Sequence, residues 1–351
     1  MIQNKSFKYR IYPNKTQKAL LNQAFGCVRF VWNKSVEGFN NRVNVNLNEL
    51  KSDNPFLNDV SCAILQQKLR DFSEFKNRFF KGGCSRPNFK KKSKYNSLRL
   101  PNQKIRFKGS RVRLEKIGWI KLVMDRSFDG RVISATVSKK STGQYFISVC
   151  CETEIQPLPP SDTEVGLDLG IKYLVVTSDA EIIDNPKFLR DKQAKISRLQ
   201  TFLAKKKRGS KRWIKTRIKI AKLYQKVVNQ RKYFLHNITN SLISRYGIIY
   251  IEDLDVANMT AKGVNDASIG ELTRQLEYKS DWMGRTLNRI DRFYPSSQIC
   301  SLCWQRKKIK LSERIYHCNC GNIMSRDLNS AINIKAVGVK TAQRLSSASI
   351  L

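Results

Sequence analysis

The segment Ile155-Gln156-Pro157-Leu158-Pro159-Pro160-Ser161-Asp162 constrains this chain more than any other. Its three prolines can neither continue a helix nor sit in a central strand. It is a linker, and the hydrophobic period changes across it. Before it, from about residue 104 to 154, the period is two: Ile105/Phe107, Val112/Leu114 and Ile120/Leu122 alternate with polar or basic positions. Ser141-Thr142-Gly143 reads as a hairpin turn between strands 132–138 and 144–151. After the linker the pattern is mixed α/β. Residues 165–169, 173–177 and 248–251 read as buried strands. Long helices carry Ile196/Leu199/Leu203 and Ile214/Ile218/Ala221 through Leu242, and a further helix is expected over 271–290.

The start of the chain reads as strand, then helix. Phe7, Tyr9 and Ile11 alternate with Lys8 and Arg10 before Pro13-Asn14 breaks the run. Thr16 is the expected N-cap of an amphipathic helix carrying Leu20, Leu21, Ala24, Phe25, Val28, Val31 and Trp32. A second helix is expected over 58–80, with Ile64, Leu65, Leu69, Phe72 and Phe75 at helical spacing. These helices predict a small helical module. The period-two segments predict a β module, a small barrel that also takes in the first strand.

Charge points to the partner. The 351 residues contain 66 Lys+Arg against 28 Asp+Glu, a formal net charge of +38. Such a chain repels itself unless it meets a polyanion, and nucleic acid neutralises most charge per unit length. No apolar run approaches a membrane span and the first residues do not form a signal peptide, so a cytoplasmic protein with no membrane partner is expected, nucleoid-associated when bound. Residues 75–114 and 201–250 each hold 14 Lys/Arg and no acid, whereas an ordinary solvated helix face mixes signs. Lys90, Lys91, Lys92 and Lys94 in the first stretch, and Lys205, Lys206, Lys207 and Arg208 in the second, are the candidate phosphate contacts.

Four of the nine cysteines are spaced for metal. Cys300-x2-Cys303 and Cys318-x-Cys320 are two close pairs separated by 14 residues, the sequence form of a four-thiolate zinc ribbon, with Gly321 suited to the second turn. His317 is a possible substitute ligand. Cys27, Cys62, Cys84, Cys150 and Cys151 lack ligand spacing and are expected to pack as small hydrophobes.

Three acids stand where apolar elements end. Asp168 lies in Gly166-Leu167-Asp168-Leu169-Gly170, Glu252 closes Ile248-Ile249-Tyr250-Ile251, and Asp327 precedes an expected helix over 330–336. Converging carboxylates need cations, and oxygen-only ligands select magnesium or manganese. Two such ions can activate water and stabilise a leaving oxygen in phosphodiester hydrolysis. The two histidines, His236 and His317, are poorly placed for a general base.

In combination these motifs resemble the TnpB family of transposon-encoded, RNA-guided nucleases, ancestral to the type V CRISPR effectors. The resemblance is carried by Glu164-Val165-Gly166-Leu167-Asp168-Leu169-Gly170-Ile171-Lys172, Ile251-Glu252-Asp253-Leu254 with Met259, Pro295-Ser296-Ser297-Gln298-x-Cys300-x-x-Cys303, and Arg326-Asp327-x-Asn329-x-Ala331-x-Asn333-Ile334. The opening Tyr9-Arg10-Ile11-Tyr12-Pro13-Asn14-Lys15 and Phe25-Gly26-Cys27-Val28-Arg29-Phe30-Val31-Trp32-Asn33 extend it nearly end to end.

The resemblance implies a multidomain α+β protein. Its parts would be a β-barrel wedge module (1–13 and 98–155), a helical recognition module (14–97), a RuvC-like, RNase H-fold α/β nuclease (163–297 and 323–351) and an inserted zinc ribbon (298–322). It implies that Asp168, Glu252 and Asp327 hold magnesium or manganese, that zinc sits on the four cysteines, and that the partners are guide RNA and double-stranded target DNA. The function implied is an RNA-guided DNA endonuclease of a mobile element, cutting beside a short flanking motif. A non-cleaving RNA-guided repressor, a DNA strand-transfer transposase and a structural RNA-binding protein are the alternatives. The chain departs from the family pattern at Ser325, where an acid is frequent, at Trp304, where glycine is common, and in a second cysteine knuckle one residue short.

Overall fold

The structure is a computed structural model that describes residues 1–92, 96–255, 268–310 and 312–348. It divides into two compact units, Ile2–Glu154 and Ile155–Leu351 together with Met1.

The first unit is a seven-stranded antiparallel sheet with helices packed on it. Its strands are β1 (Ile2–Tyr12), β2 (Ser97–Pro101), β3 (Ile105–Lys108), β4 (Arg111–Leu114), β5 (Gly118–Val123), β6 (Arg131–Lys139) and β7 (Tyr145–Glu154), in the order β2-β6-β7-β1-β5-β4-β3. The two edge strands, β2 and β3, are consecutive in sequence and joined by only Asn102–Lys104. A connection of that length spans about 15 Å at most, so the sheet must curl until its edges nearly meet.

Helix α1 (Lys15–Asn40) opens with a capping box. Asn14, not Thr16, is the cap: its side chain accepts from Gln17 N (2.8 Å), and the Gln17 side chain accepts from Asn14 N (3.0 Å). After α2 (Leu47–Asp53), the helix expected over 58–80 is a 3-10 turn at Pro55–Asp59 followed by α3 (Cys62–Phe80). Helix and sheet residues share one core, with Leu21, Phe25, Val28 and Leu65 packed among Ile11, Leu100, Ile120, Val137 and Ile147.

In the second unit the sheet order is β10-β9-β8-β11-β12, formed by β8 (Glu164–Leu169), β9 (Tyr173–Thr177), β10 (Ile182–Asp184), β11 (Ile248–Glu252) and β12 (Thr286–Ile290). Strands β8, β11 and β12 are parallel; β9 and β10 are antiparallel. Helices α4 (Arg190–Ala204) and α5 (Lys211–Arg245) connect β10 to β11, and α6 (Ile269–Met283) precedes β12. The helix expected over 271–290 therefore stops early. Gly284 takes φ 64°, a left-handed cap, and Thr286–Ile290 pairs with β11 instead.

Alternation along β8 and β11 sends their side chains to two covered faces. Val165, Leu167, Leu169, Ile249 and Ile251 pack with Leu235, Leu242 and Leu272 from α5 and α6. Tyr250 on the other face packs with Ile290 and Ile334, the latter on α7 (Arg326–Ala348). That last helix starts at Arg326, one turn before the expected 330–336 segment. A small hairpin, β13 (Ile315–His317) and β14 (Ile323–Ser325), leads into it. No described helix is long and apolar enough to cross a membrane.

Candidate functional site

Register brings two of the three acids together. In the parallel β8/β11 pair Ile251 lies opposite Leu167, so the next step along each strand sets Glu252 beside Asp168, on the face that carries Gly166 and Tyr250. Helix α7 covers this face, and two glycines let it come close. A Cβ on Gly166 would stand 2.2 Å from Ala331 O and 2.6 Å from Lys335 N; one on Gly338 would stand 2.1 Å from the Tyr250 ring. Asp327 lies one turn before Ala331, on the same side of α7, at the end where Asp168 emerges from β8. All three carboxylates are half-buried.

Their electrostatics reflect that crowding. Burial, then the neighbouring Glu252 and Asp327, push Asp168 up from 3.8 to about 8, against the opposing pull of Arg326 and a hydrogen bond from Ser330. Burial also raises Glu252, offset by a hydrogen bond from Ser296. Arg326 lies 3.5 Å from Asp327. Asp253 points elsewhere: Arg289 (2.8 Å) and Arg292 bind its carboxylate.

Helix α7 also holds the segment between β12 and the first cysteine. Asn333 Nδ2 donates to Ser296 O and Ile299 O, both at 2.7 Å, and Asn329 Nδ2 donates to Ile299 O at 2.6 Å. Asn329 Oδ1 accepts from Ser301 N at 3.0 Å. Ser296 Oγ donates to Glu252 Oε1, and Ser330 Oγ donates to Ser296 Oγ at 2.9 Å. Ser296, Asn329, Ser330 and Asn333 are all buried. Sequence reasoning named none of the four as functional; the signal was Pro295-Ser296-Ser297 and the Asn329/Asn333 spacing of four.

The four cysteines converge. Cys300, Cys303, Cys318 and Cys320 place their sulfurs within 4.8 Å of one another, the only such group of three or more His, Cys, Asp or Glu among the described residues. Cys300 and Cys320 are 3.6 Å apart, and Cys303 and Cys318 are 3.5 Å apart. A zinc tetrahedron with ~2.3 Å bonds has edges of about 3.8 Å, so the thiols fit that ion. Burial disfavours the Cys300 thiolate, but the amides of Cys303 and Leu302 and the Asn322 side chain together pull its pKa down. His317 is not in the group. Trp304 ends the first knuckle at φ 63°, the left-handed conformation a glycine would adopt freely, and Lys340 sits 4.3 Å from its ring centroid. Of the other cysteines Cys27 and Cys151 are buried, Cys84 and Cys150 are intermediate, and Cys62, expected to pack, is exposed.

The basic candidates divide. Lys91 and Lys92 are exposed, whereas the Lys90 ammonium rests 3.3 Å from the centre of the Trp32 ring, its pKa lowered to about 8 by burial and then by Lys68. Lys94 and Met259 lie outside the described residues. Lys205, Lys206, Lys207 and Arg208 form the turn between α4 and α5, with Lys206 over the Phe202 ring and the other three exposed.

Three family models match the chain: "Helix-turn-helix domain" over 1–43, "Probable transposase" over 148–262 and "Cas12f1-like, TNB domain" over 270–334. A Streptomyces pristinaespiralis protein described as "Putative RNA-guided DNA endonuclease" is 34% identical, covering 95% of this chain and 89% of the relative. InsQ of Escherichia coli K12, with the same description, is 30% identical over 95% of this chain and 92% of its own length. Among solved structures, Cas12f1 in complex with sgRNA and target DNA superposes with a TM-score of 0.58 at 12% identity, covering 95% of this chain and 99% of that one.

Proposed function

The chain belongs to the TnpB family, and on that premise we propose that it is an RNA-guided DNA endonuclease of a mobile element, with Asp168, Glu252 and Asp327 as its magnesium-dependent hydrolytic centre. The observation that supports this reading is the crowding of Asp168 by Glu252 and Asp327, near where β8, β11 and α7 meet. The donor set fits hard divalent cations: oxygen atoms only, with Asp168 driven toward protonation by burial and then by the neighbouring Glu252 and Asp327 when no cation offsets them. Bound magnesium would supply charge stabilisation and a nucleophilic water for in-line displacement at phosphorus. The chain's own residues hold the carboxylates in place. Ser296 occupies one oxygen of Glu252, and Arg326 lies against Asp327.

In the same reading zinc on Cys300, Cys303, Cys318 and Cys320 fixes the ribbon, while Asn329 and Asn333 tether its first knuckle to α7. The ribbon interrupts a RuvC-like nuclease, and the N-terminal unit supplies the wedge and recognition parts. Base pairing by guide RNA supplies sequence specificity, and the protein reads heteroduplex shape and a short flanking motif. Exposed Lys91, Lys92, Lys205, Lys207 and Arg208 contact phosphates.

The test is single-turnover cleavage of matched plasmid by the RNA-loaded protein. Asp168→Ala, Glu252→Ala and Asp327→Ala should each abolish cutting while RNA binding persists. Target binding without cutting by the wild type would favour a repressor, and joined-strand products a transposase.

A further inference from the structure

Two serines form a bridge between two of the acids. Ser296 precedes the first cysteine pair and Ser330 lies one turn into α7; both are buried. Ser296 Oγ donates to Glu252 Oε1, Ser330 Oγ lies 2.9 Å from Ser296 Oγ, and Ser330 also hydrogen-bonds Asp168. A carboxylate free to turn presents either oxygen to a cation. One whose Oε1 is occupied by a fixed hydroxyl presents the other.

The hydroxyls are themselves held. Asn333, fully buried, donates to the carbonyl oxygens of Ser296 and Ile299, which fixes the backbone beneath Ser296 at two points. Ser330 is carried by the same helix as Asp327 and Asn333. A hydroxyl has one proton to give. Ser296 gives its proton to Glu252 and accepts that of Ser330, and Ser330 in turn stands within hydrogen-bonding reach of Asp168, so the two hydroxyls link the two acids in one chain.

We propose that Ser296 and Ser330 are positioning residues for the nuclease centre, orienting Glu252 and Asp168 so that their free oxygens face a common divalent cation. This deepens the reading of the site given above and rests on it. The pair also explains why a serine, whose hydroxyl would otherwise favour turns and caps, is retained fully buried at helix position 330.

The experiment measures Mn2+ binding by calorimetry on the RNA-loaded protein, beside the magnesium half-saturation and plateau rate of cleavage. The variants are Ser296→Ala, Ser330→Ala, Ser296→Thr and, as a neighbour outside the network, Ser297→Ala. Each alanine at 296 or 330 should weaken Mn2+ binding and raise the magnesium half-saturation by about 10–100-fold, with a smaller loss in plateau rate. Ser296→Thr, which keeps the hydroxyl, should restore both toward wild type, and Ser297→Ala should match wild type. Should Ser296→Ala fail to fold, Ser330→Ala reads the other end of the bridge. Wild-type metal binding in the alanine variants would overturn the assignment. So would an equal loss in the alanine and threonine variants, which would make the site a matter of packing alone. A wild type that binds Mn2+ but never cleaves would sink the nuclease reading, while the binding arm still judges the serines.

Discussion

Replacing Gly166 with alanine should damage the nuclease unit in a way that separates close helix approach from ordinary glycine effects. In a strand, alanine for glycine removes chain entropy from the unfolded state and is worth about 0.4–1 kcal/mol of added stability where it fits. Here it does not fit, because its Cβ would stand 2.2 Å from Ala331 O and 2.6 Å from Lys335 N. Both are backbone atoms of α7 and cannot rotate away. Restoring a separation of about 3.3 Å requires α7 to lift by roughly 1 Å from β8. Asp327 is one turn from Ala331 and must move with it. Overpacking of this kind costs about 1–3 kcal/mol, which for a unit of this size lowers Tm by about 2–10 °C. A 1 Å displacement of a catalytic group costs about 100-fold in rate. The assays are thermal unfolding and single-turnover cleavage of a matched plasmid. A Gly166→Ala protein that melts at or above wild type and cuts within threefold of its rate would refute the packing argument.

Four further outcomes are expected. Asp168→Asn should stabilise the metal-free fold and abolish cleavage when magnesium is supplied: the raised Asp168 pKa means its contribution is fully present below about pH 4 and is lost as pH rises through about 8, so relief at pH 7 reaches at most about 4 kcal/mol, read by chemical denaturation of metal-free protein across pH. Gly26→Ala, within α1 where the nearest atom is 3.9 Å away, should instead stabilise by about 0.5–1 kcal/mol in the same assay. Metal analysis should find one zinc per chain, absent from Cys300→Ser/Cys318→Ser; zinc retained after removal of Cys320 would promote His317 to ligand. Alanine at Lys205, Lys206, Lys207 and Arg208 should reduce the slope of log affinity against log salt by about 0.7–0.9 for each phosphate no longer neutralised, equally for matched and mismatched targets, and an unchanged slope would remove these residues from the interface.

The alternating segments and the proline linker were legible because strand period and backbone restriction act locally. The division at Ile155 falls where three prolines make it fall. The helix expected over 271–290 failed at its end because Leu287 and Ile290 are spaced three apart, as on a helix face, while their true partner, β11, is distant in sequence. Only Gly284 marked the change. Thr16 yielded the cap to Asn14 because a capping box needs an acceptor three residues before Gln17, and Asn14 occupies that place. Type and spacing marked the cysteines, whose sulfurs come within 4.8 Å of one another, and singled out the three acids, but not what sets Glu252 and Asp327 near Asp168. Gly166 was visible as a glycine beside Asp168; that it meets α7, some 165 residues later, was not. Lys90 shows the limit for surface charge, since its sequence neighbours are exposed and only the fold reveals Trp32 beneath its ammonium.

The most direct test of the central claim is reprogramming. The protein is purified with its co-expressed RNA, the RNA's targeting segment is replaced by one matching a new site, and cleavage of plasmids bearing the old or the new site is followed with magnesium, beside the Asp168→Ala protein. The account predicts that cutting moves with the RNA, stops in chelator and is absent in Asp168→Ala. Cleavage that ignores the RNA, or persists without Asp168, would contradict it.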